Sequence, residues 1–375
     1  VGRNRFGQFL LKTIPQDKSQ ELNAKLRYLA QYQSGRKRFC EPMKDNFWAK
    51  VVYWQQKTNV VHKPVTMSTH DKSRRRHLML SFAAFCCIRI ISAQNTPMTV
   101  ELLRQHIENR LAPVEGIFAV TFRQLDKPEN LLSINGKEVF HAASTMKTPV
   151  MIEVFDQVKA GKFKLTDSVV IKNEFRSIVD GSRYQMNISE DSGEALYKKI
   201  GQKTKVYELI YEMITVSSNL ATNILIEKVG AASVTNAMNE LGAGDIRVLR
   251  GVEDQKAFDK GWNNTVTAED LALIYEKLAR SQVVSREASQ QMLQILEAQK
   301  FNEIIPAKLP KTAKVAHKTG EITGVRHDSG VVTLPDGRQY VLVLLSKNLR
   351  SPTEGVAALA EVSEMVHQFV VAQTK

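Results

Sequence analysis

The spacing of apolar residues predicts secondary structure at both ends of residues 94–375. Positions 100, 103, 107 and 111 are apolar at the spacing of one helix face, and Thr99 precedes them as a candidate capping residue. Apolar, β-rich runs predict strands at 116–122, 315–319, 330–334 and 340–346. Apolar residues at 356, 359, 362, 366 and 369 predict an amphipathic closing helix.

The middle of this segment, from about 145 to 310, has mainly helical periodicity. Apolar residues recur every four positions from Met146 to Val158 and predict a buried helix that begins at Ser144. Similar patterns predict helices at 207–214, 220–229 and 268–278.

Turn sequences complete this outline. Asn135-Gly136 stands between short apolar runs at 131–134 and 139–140 and predicts a tight hairpin. Together the patterns predict an α/β (α+β) fold, in which an antiparallel sheet built from both termini is flanked by helices. An all-helical lobe, at about 145–310, is inserted between the two groups of strands.

Charge and cysteine content separate residues 1–93 from the rest of the chain. These residues hold 18 of the 52 Lys and Arg but 5 of the 39 Asp and Glu, which accounts for the whole formal charge of +13. Residues 94–375 are therefore neutral overall, which argues against a nucleic-acid partner. All three cysteines also precede residue 94, so the remainder has no disulfide framework or cysteine metal site. We expect no metal and no cofactor.

Residues 67–93 have the features of a secretory signal peptide. Arg74-Arg75-Arg76 supplies the positive start, 78–88 the apolar run, and Ser92-Ala93 the small residues before cleavage at Gln94. The apolar run is too short to span a bilayer as a membrane anchor. We therefore expect a periplasmic or secreted bacterial protein without stable membrane insertion after cleavage.

Residues 1–66 precede Met67, the expected natural start, and we interpret them as a non-native upstream extension. A genuine N-terminal extension with a small packed unit around Trp48 and Trp54 is the alternative interpretation. Residues 94–375 form the predicted catalytic domain.

Three short motifs follow one another in this domain: Ser144-Thr145-Met146-Lys147, Ser217-Ser218-Asn219 and Lys318-Thr319-Gly320. The first places a hydroxyl and an amine one helical turn apart on the same face. A serine becomes a nucleophile when a nearby base removes its proton, and a lysine kept neutral by burial is such a base. A helix start also offers N–H groups to a developing oxyanion.

The other two motifs add groups that bind and cleave an amide. Ser217 is suited to pass a proton to a leaving nitrogen, and Asn219 to hold a substrate amide. On a predicted edge strand, Lys318 and Thr319 are suited to bind a carboxylate, while Gly320 lets a substrate backbone approach. Each motif alone also has an ordinary structural explanation, such as a capped helix or a solvated strand end. Their fixed order favours catalysis.

This set of motifs, with the length, leader and layout of the chain, resembles the class A β-lactamases within the penicillin-recognising serine hydrolases. The resemblance implies that Ser144 is acylated, that Lys147 activates it and that Ser217 relays the proton. The substrate would be a small-molecule β-lactam.

The resemblance also implies a set of binding residues. Asn219 would hold the amide side chain of the substrate, and Lys318-Thr319-Gly320 its carboxylate end. The backbone N–H groups of Ser144 and Glu321 would form the oxyanion hole. Arg326 is a further candidate for contact with the substrate carboxylate.

Deacylation distinguishes a β-lactamase from a penicillin-binding protein and requires a carboxylate that activates water. Glu253 lies on a predicted loop after the second motif and before Asn264-Thr265-Val266-Thr267, where the family carries its deacylating glutamate. Asp254 is the alternative base. An exposed loop carboxylate without a catalytic role is the third possibility.

The sequence departs from the family pattern at several positions, which indicates a divergent branch with a shifted substrate range. Ala257 stands where the pattern E-x-x-L-N has its asparagine, so a water bound to Glu253 would lose one partner. Ser218 replaces the aspartate of S-D-N, and Glu321 adds a negative charge after K-T-G. The long polar segment 175–205 predicts an insertion beside the site.

We therefore predict a secreted serine β-lactamase that confers antibiotic resistance and acts as a monomer. A penicillin-binding D,D-peptidase with the same acylation chemistry is the enzymatic alternative. A β-lactam sensor that stays acylated is the alternative from another class.

Overall fold

The computed structural model describes residues 98–373. The predicted signal peptide at 67–93 and the upstream extension 1–66 lie outside the described residues. Five strands form one antiparallel sheet in the order β2-β1-β11-β10-β9. Their bounds are Ile117–Gln124 (β1), Leu131–Ile134 (β2), Lys314–Ile322 (β9), Val325–Thr333 (β10) and Gln339–Lys347 (β11). Strands from both ends of the described chain therefore share one sheet, which confirms the predicted architecture.

Strand β11 lies at the centre of this sheet and is buried on both faces. Tyr340, Leu342 and Leu344 pack with the apolar residues of α1 (Val100–Leu111) and α10 (Pro352–Ala372). Its alternate residues belong to the core formed with the central helices. Two-sided burial explains why this strand is a continuous apolar run, since alternation would leave one face polar.

Among the described residues, α10 is long and apolar enough to cross a membrane by length and composition. Its most apolar window is 56% buried in the fold. Leu359, Val362, Val366 and Phe369 pack with the sheet and α1. The helix is therefore a core helix, and its Thr99-capped partner α1 covers the same face of the sheet.

The central part of the chain supplies the remaining helices. They are α2 (Lys147–Lys159), α3 (Glu194–Tyr197), α4 (Val206–Thr215), α5 (Asn219–Val229), α6 (Ala231–Glu240), α7 (Gln255–Asp259), α8 (Ala268–Ala279) and α9 (Arg286–Glu297). Helix α8 packs on β1, β10 and β11, and α9 packs on β9. Helices α2, α4, α5 and α6 pack on one another and form the centre of the lobe.

Short ribbons accompany the helices of the lobe, so the lobe is not made of helices alone. The ribbons are β3 (Phe140–His141) with β8 (Thr265–Val266), β4 (Ser168–Val170) with β7 (Lys203–Lys205), and β5 (Phe175–Arg176) with β6 (Arg183–Tyr184). Each strand has two or three residues, which is too short for a periodic pattern to be recognised in the sequence.

The predicted hairpin around Asn135-Gly136 is wrong. A turn does form there, because Asn135 has φ 51° and Glu138 N–H donates to its carbonyl at 3.0 Å. However, β2 pairs with β1, and β3 pairs with β8. A turn sequence determines the local reversal of the chain, whereas strand partners depend on distant contacts.

Candidate active site

Ser144 lies in a 3₁₀ turn, Ala143–Met146, that leads into α2. The helix itself begins at Lys147, three residues later than the sequence predicted. Ala143 has φ 45°, an unfavourable backbone conformation for a residue with a Cβ. The turn leaves Ser144 half-buried. Within the described part of the chain, no hydrogen bond joins Ser144 Oγ to Lys147 Nζ.

Two histidines, His141 and His327, hold this turn in place through hydrogen bonds. His141 Nδ1 accepts a hydrogen bond from Ala143 N–H at 3.0 Å, and the His141 carbonyl accepts one from His327 Nε2 at 2.9 Å. His327 Nδ1 accepts from Ser346 N–H at 3.1 Å, so this ring is neutral. Burial lowers the pKa of His327 to about 4. These histidines therefore position the turn.

Lys147 is fully buried and its amine has three acceptors. Nζ donates to the Ser217 carbonyl at 2.6 Å, to Ser217 Oγ at 3.0 Å and to Asn219 Oδ1 at 2.9 Å. Burial lowers the pKa of Lys147 to about 7, although the charges of Asp191 and Glu253 raise it. A substantial fraction of this lysine is therefore neutral near neutral pH, as a general base requires.

Lys318 approaches the same hydroxyl from β9. Its Nζ donates to Ser217 Oγ at 3.1 Å and to the Thr319 carbonyl at 2.9 Å. Burial is the main cause of a lowered pKa of Lys318, and the charge of Lys147 lowers it further, while Asp328 opposes both. Ser217, which has φ 58°, thus stands between the two lysines.

Strand β9 is an edge strand of the sheet, as the sequence predicted, and it runs beside the turn that holds Ser144. A Cβ at Gly320 would lie 3.2 Å from Thr145 Cγ2 and 3.3 Å from Ala143 Cβ, so glycine permits this close approach. Thr319 is half-buried next to it.

Glu321 and Arg326 form an ion pair at the end of the β9–β10 hairpin, with 2.5 Å between Oε1 and a terminal guanidinium nitrogen. Arg326 also donates to the carbonyls of Ile322 and Val325 at 3.0 and 2.8 Å. The Glu321 side chain is 68% exposed. The negative charge after Lys318-Thr319-Gly320 is therefore paired, and the guanidinium is already engaged.

Glu253 lies on the loop between α6 and α7, close enough to Lys147 for its charge to act on that amine. Its Oε1 accepts from Asn219 Nδ2 at 3.3 Å, and its Oε2 accepts from Asn187 N–H at 2.9 Å. Burial raises the pKa of this carboxyl, against the effect of the two hydrogen bonds. Asn219 therefore joins Glu253 to Lys147.

Asp254 faces a different part of the molecule. It is buried, accepts from Ser177 Oγ at 2.8 Å and Ile178 N–H at 2.9 Å, and caps α7 through Ala257 N–H. These contacts occupy the Asp254 carboxylate, whereas the Glu253 carboxylate is hydrogen-bonded to Asn219.

Two residues that the sequence analysis missed hold the loop of Glu253. Arg250 joins the two ends of this loop region, because it donates to the Trp262 carbonyl at 2.9 Å and to Asn263 Oδ1 at 3.0 Å. Asn223 binds Val252 N–H at 2.7 Å and its carbonyl at 3.0 Å. The spacing of Asn223, one helical turn after Asn219, was the available sequence signal.

The segment 175–205 lies beside these groups, where an insertion was predicted. It contributes the Asn187 N–H, the Glu190 carbonyl, 3.4 Å from Asn219 Nδ2, and the buried carboxylate of Asp191. Sequence analysis did not identify Asp191, because one acidic residue in a polar segment carries no distinguishing pattern. Among residues 98–373, no group of three His, Cys, Asp or Glu side chains is arranged as a metal site.

Solved structures with the same architecture identify the fold. A β-lactamase from Sphaerobacter thermophilus DSM 20745 is similar, with TM-score 0.64 and 27% identity over 74% of this chain and 100% of that chain. PBP-A is similar, with TM-score 0.62 and 28% identity over 74% of this chain and 98% of that chain. The fold is that of the serine β-lactamases and penicillin-binding proteins.

Sequence comparison specifies the family. A sequence model of the Beta-lactamase enzyme family matches residues 102–370, and the chain belongs to this family. Extended-spectrum beta-lactamase PER-1 of Pseudomonas aeruginosa is 26% identical over 303 residues, which cover 78% of this chain and 92% of that protein. Beta-lactamase VEB-1 of the same organism is 23% identical over 310 residues, 79% and 97% of the respective chains. These relationships support a β-lactam hydrolase.

Proposed function

We propose that the chain is a serine β-lactamase of the class A type, which opens the β-lactam ring through an acyl-serine intermediate. The observation that carries this proposal is one continuous hydrogen-bonded set beside the nucleophile turn. It joins Lys318 to Glu253 through Ser217, Lys147 and Asn219. The set contains a lysine base, a proton relay and a carboxylate for the second step.

Acylation begins when neutral Lys147 takes the Ser144 proton. A neutral Lys147 amine makes weaker hydrogen bonds to Asn219 and Ser217 than the ammonium does, so it can turn toward Ser144. Hydrogen bonds between a catalytic base and its nucleophile often shorten only once substrate is bound. Ser144 Oγ attacks the lactam carbonyl, and the oxyanion accepts from the N–H groups of Ser144 and Glu321. Ser217 then gives its hydroxyl proton to the lactam nitrogen as the bond between this nitrogen and the carbonyl carbon breaks, and it receives a replacement proton from the Lys147 ammonium.

Substrate binding is assigned to the groups around this centre. Lys318 and Thr319 would bind the substrate carboxylate, and Gly320 would give its backbone room along β9. Asn219 would hold the amide side chain. Arg326 would add positive charge on the carboxylate side once its pairing with Glu321 is exchanged for substrate.

Deacylation is assigned to Glu253. The ionised carboxylate takes a proton from a water molecule, and the water oxygen attacks the acyl carbonyl. The bond between the carbonyl carbon and Ser144 Oγ then breaks, and Ser144 Oγ receives a proton through Lys147. The raised pKa of Glu253 makes this step sensitive to acid. The Asn187 N–H and Asn219 Nδ2 orient the carboxylate in a chain that has no asparagine four residues after it.

A penicillin-binding protein, either a D,D-peptidase or a non-turnover β-lactam sensor, is the second candidate. The missing asparagine and the 28% identity to PBP-A favour it. It shares acylation with the first candidate and differs in the lifetime of the acyl-enzyme.

We also propose that the protein is exported, is released by cleavage before Gln94 and acts as a periplasmic or secreted monomer that confers β-lactam resistance. The arginine cluster and apolar run of 67–93 support export. Expression in a susceptible bacterium should raise the lethal β-lactam concentration. The exported product should begin at Gln94 and elute as a monomer, whereas a cytoplasmic, uncleaved product would contradict this proposal.

The deciding experiment follows a chromogenic cephalosporin over time with the full chain and the variants Ser144→Ala and Glu253→Gln. We expect many turnovers for the wild type, no product with Ser144→Ala, and a burst followed by stalling with Glu253→Gln. Intact mass should show the acyl adduct accumulating on the glutamine variant. A single stoichiometric burst from the wild type would favour a penicillin-binding protein.

A further inference from the structure

Asp191 is a buried carboxylate to which the mechanism above assigns no role. It is 4% exposed and accepts hydrogen bonds from Gly193 N–H at 2.8 Å and Tyr197 Oη at 3.1 Å. Among the described residues, no Lys or Arg forms an ion pair with it. Burial of a carboxylate without an ion pair is costly, so its hydrogen bonds must stabilise it.

Two further hydrogen bonds to Asp191 hold the second motif. Asp191 accepts from Asn219 N–H at 2.9 Å and Leu220 N–H at 2.8 Å. These are the first two N–H groups of α5, which have no partner within the helix and lie at the positive end of its dipole. Asn219 is also the residue whose side chain contacts Lys147 and Glu253. Asp191 thus fixes the backbone from which that side chain projects.

The second motif lacks a carboxylate of its own. Ser218 stands at the position of the aspartate in S-D-N, and its hydroxyl caps α5 by accepting from Ala221 N–H at 3.2 Å. Ser218 Oγ lies 3.4 Å from Asp191 Oδ2. Gly193 permits this proximity, since a Cβ there would lie 2.4 Å from Ser218 Cβ. A carboxylate is therefore present at the start of α5, but it comes from another segment.

We propose that Asp191 is a positioning residue that replaces the aspartate of the S-D-N motif and holds Asn219 and Ser217 against Lys147. This inference rests on the proposed acylation by Ser144. Asp191 also acts through its charge, which opposes the effect of burial on the pKa of Lys147. The site therefore depends on the segment 175–205 as well as on the three motifs.

The test compares Asp191→Asn with the wild-type full chain by the rate of acylation with benzylpenicillin, followed by intact mass between pH 5.5 and 9. We expect at least a tenfold slower acylation at pH 7. The acid limb of the profile should move to lower pH, because loss of the carboxylate lowers the pKa of Lys147 further. Tyr197→Phe is the matched control, which removes one donor to Asp191 without touching the motif and should leave the profile in place.

An exchange of the two residues, Asp191→Ser with Ser218→Asp, tests the replacement directly. An aspartate at the N-cap accepts from the first N–H groups of the helix, so acylation should recover to within about threefold of the wild type. A folded Asp191→Asn variant with unchanged rate and pH profile would reduce Asp191 to a structural residue. An exchanged variant that folds but acylates as slowly as Asp191→Asn would show that Asp191 does not replace the aspartate of S-D-N. If Asp191→Asn does not fold, the acylation rate of the exchanged variant is compared with that of the wild type, and a folded exchanged variant at least tenfold slower than the wild type would overturn the proposal. Because acylation is measured, a wild type that acylates without turnover refutes the proposed hydrolysis and leaves this inference intact.

Discussion

Lys147 and Lys318 donate to one hydroxyl, Ser217 Oγ, at 3.0 and 3.1 Å. Both amines are fully buried, and each has a lowered pKa because of burial. Two buried cations on one acceptor repel each other, so protonation of one disfavours protonation of the other. The protonation states of the two lysines are therefore coupled.

The first prediction concerns the pH dependence of acylation. With a pKa of about 7 for Lys147, the second-order rate of acylation should fall tenfold per pH unit below about pH 7, because only the neutral amine accepts the serine proton. Glu253→Gln removes a negative charge that raises the pKa of Lys147, so the acid limb should move to lower pH. Rapid-mixing acylation assays across pH 5–9 measure both effects. An unchanged midpoint in the variant would contradict this effect of Glu253 on Lys147.

The second prediction concerns the Asn187 N–H that binds Glu253 Oε2 at 2.9 Å. Asn187→Pro removes this donor, and the native φ of −90° is close to that of proline. A hydrogen bond to a charged group contributes about 1.5–3 kcal/mol, so deacylation should slow by about tenfold or more. Decay of the acyl-enzyme by intact mass is the measurement. Asn187→Ala keeps the N–H and is the control, which should deacylate at nearly the wild-type rate.

The third prediction separates the two neighbouring carboxylates. Asp254→Asn disturbs the bonds to the buried Ser177 hydroxyl and to the Ile178 N–H, and leaving these groups poorly paired should reduce the free energy of unfolding by about 1–3 kcal/mol. Glu253→Gln should leave stability nearly unchanged and stop deacylation. Denaturant unfolding and single-turnover kinetics on both variants give the comparison. Stalled acyl-enzyme in Asp254→Asn, with rapid turnover in Glu253→Gln, would reverse the assignment.

The fourth prediction concerns the exposed pair between Glu321 and Arg326. Glu321→Gln should lower KM for an anionic penicillin by up to about fivefold, which corresponds to the upper limit of about 1 kcal/mol for an exposed ion pair. Arg326→Ala should raise KM, because it leaves the carboxylate of Glu321 unpaired. Steady-state kinetics at low and at 0.5 M salt test this, since screening should reduce both differences. Equal KM values at low salt for the wild type and both variants would show that Glu321 and Arg326 do not contribute to substrate binding.

The sequence by itself determined the strands of the five-stranded sheet, most of the longer helices and the order of the three motifs. These features depend on residues close together in the chain: the continuous apolar run of β11, the four-residue repeat of α2 and the cap of α1 by Thr99. Local periodicity and capping are visible in sequence because neighbouring residues share one element.

Only the tertiary structure decided which groups meet. Lys318 is hydrogen-bonded to Ser217, which is 101 residues away in sequence, and β3 pairs with β8 rather than with the neighbouring β2. Glu253 and Asp254 are adjacent in sequence, but Glu253 binds Asn219 and Asp254 binds Ser177. Packing of distant segments sets these contacts, and no short-range pattern in the sequence records them.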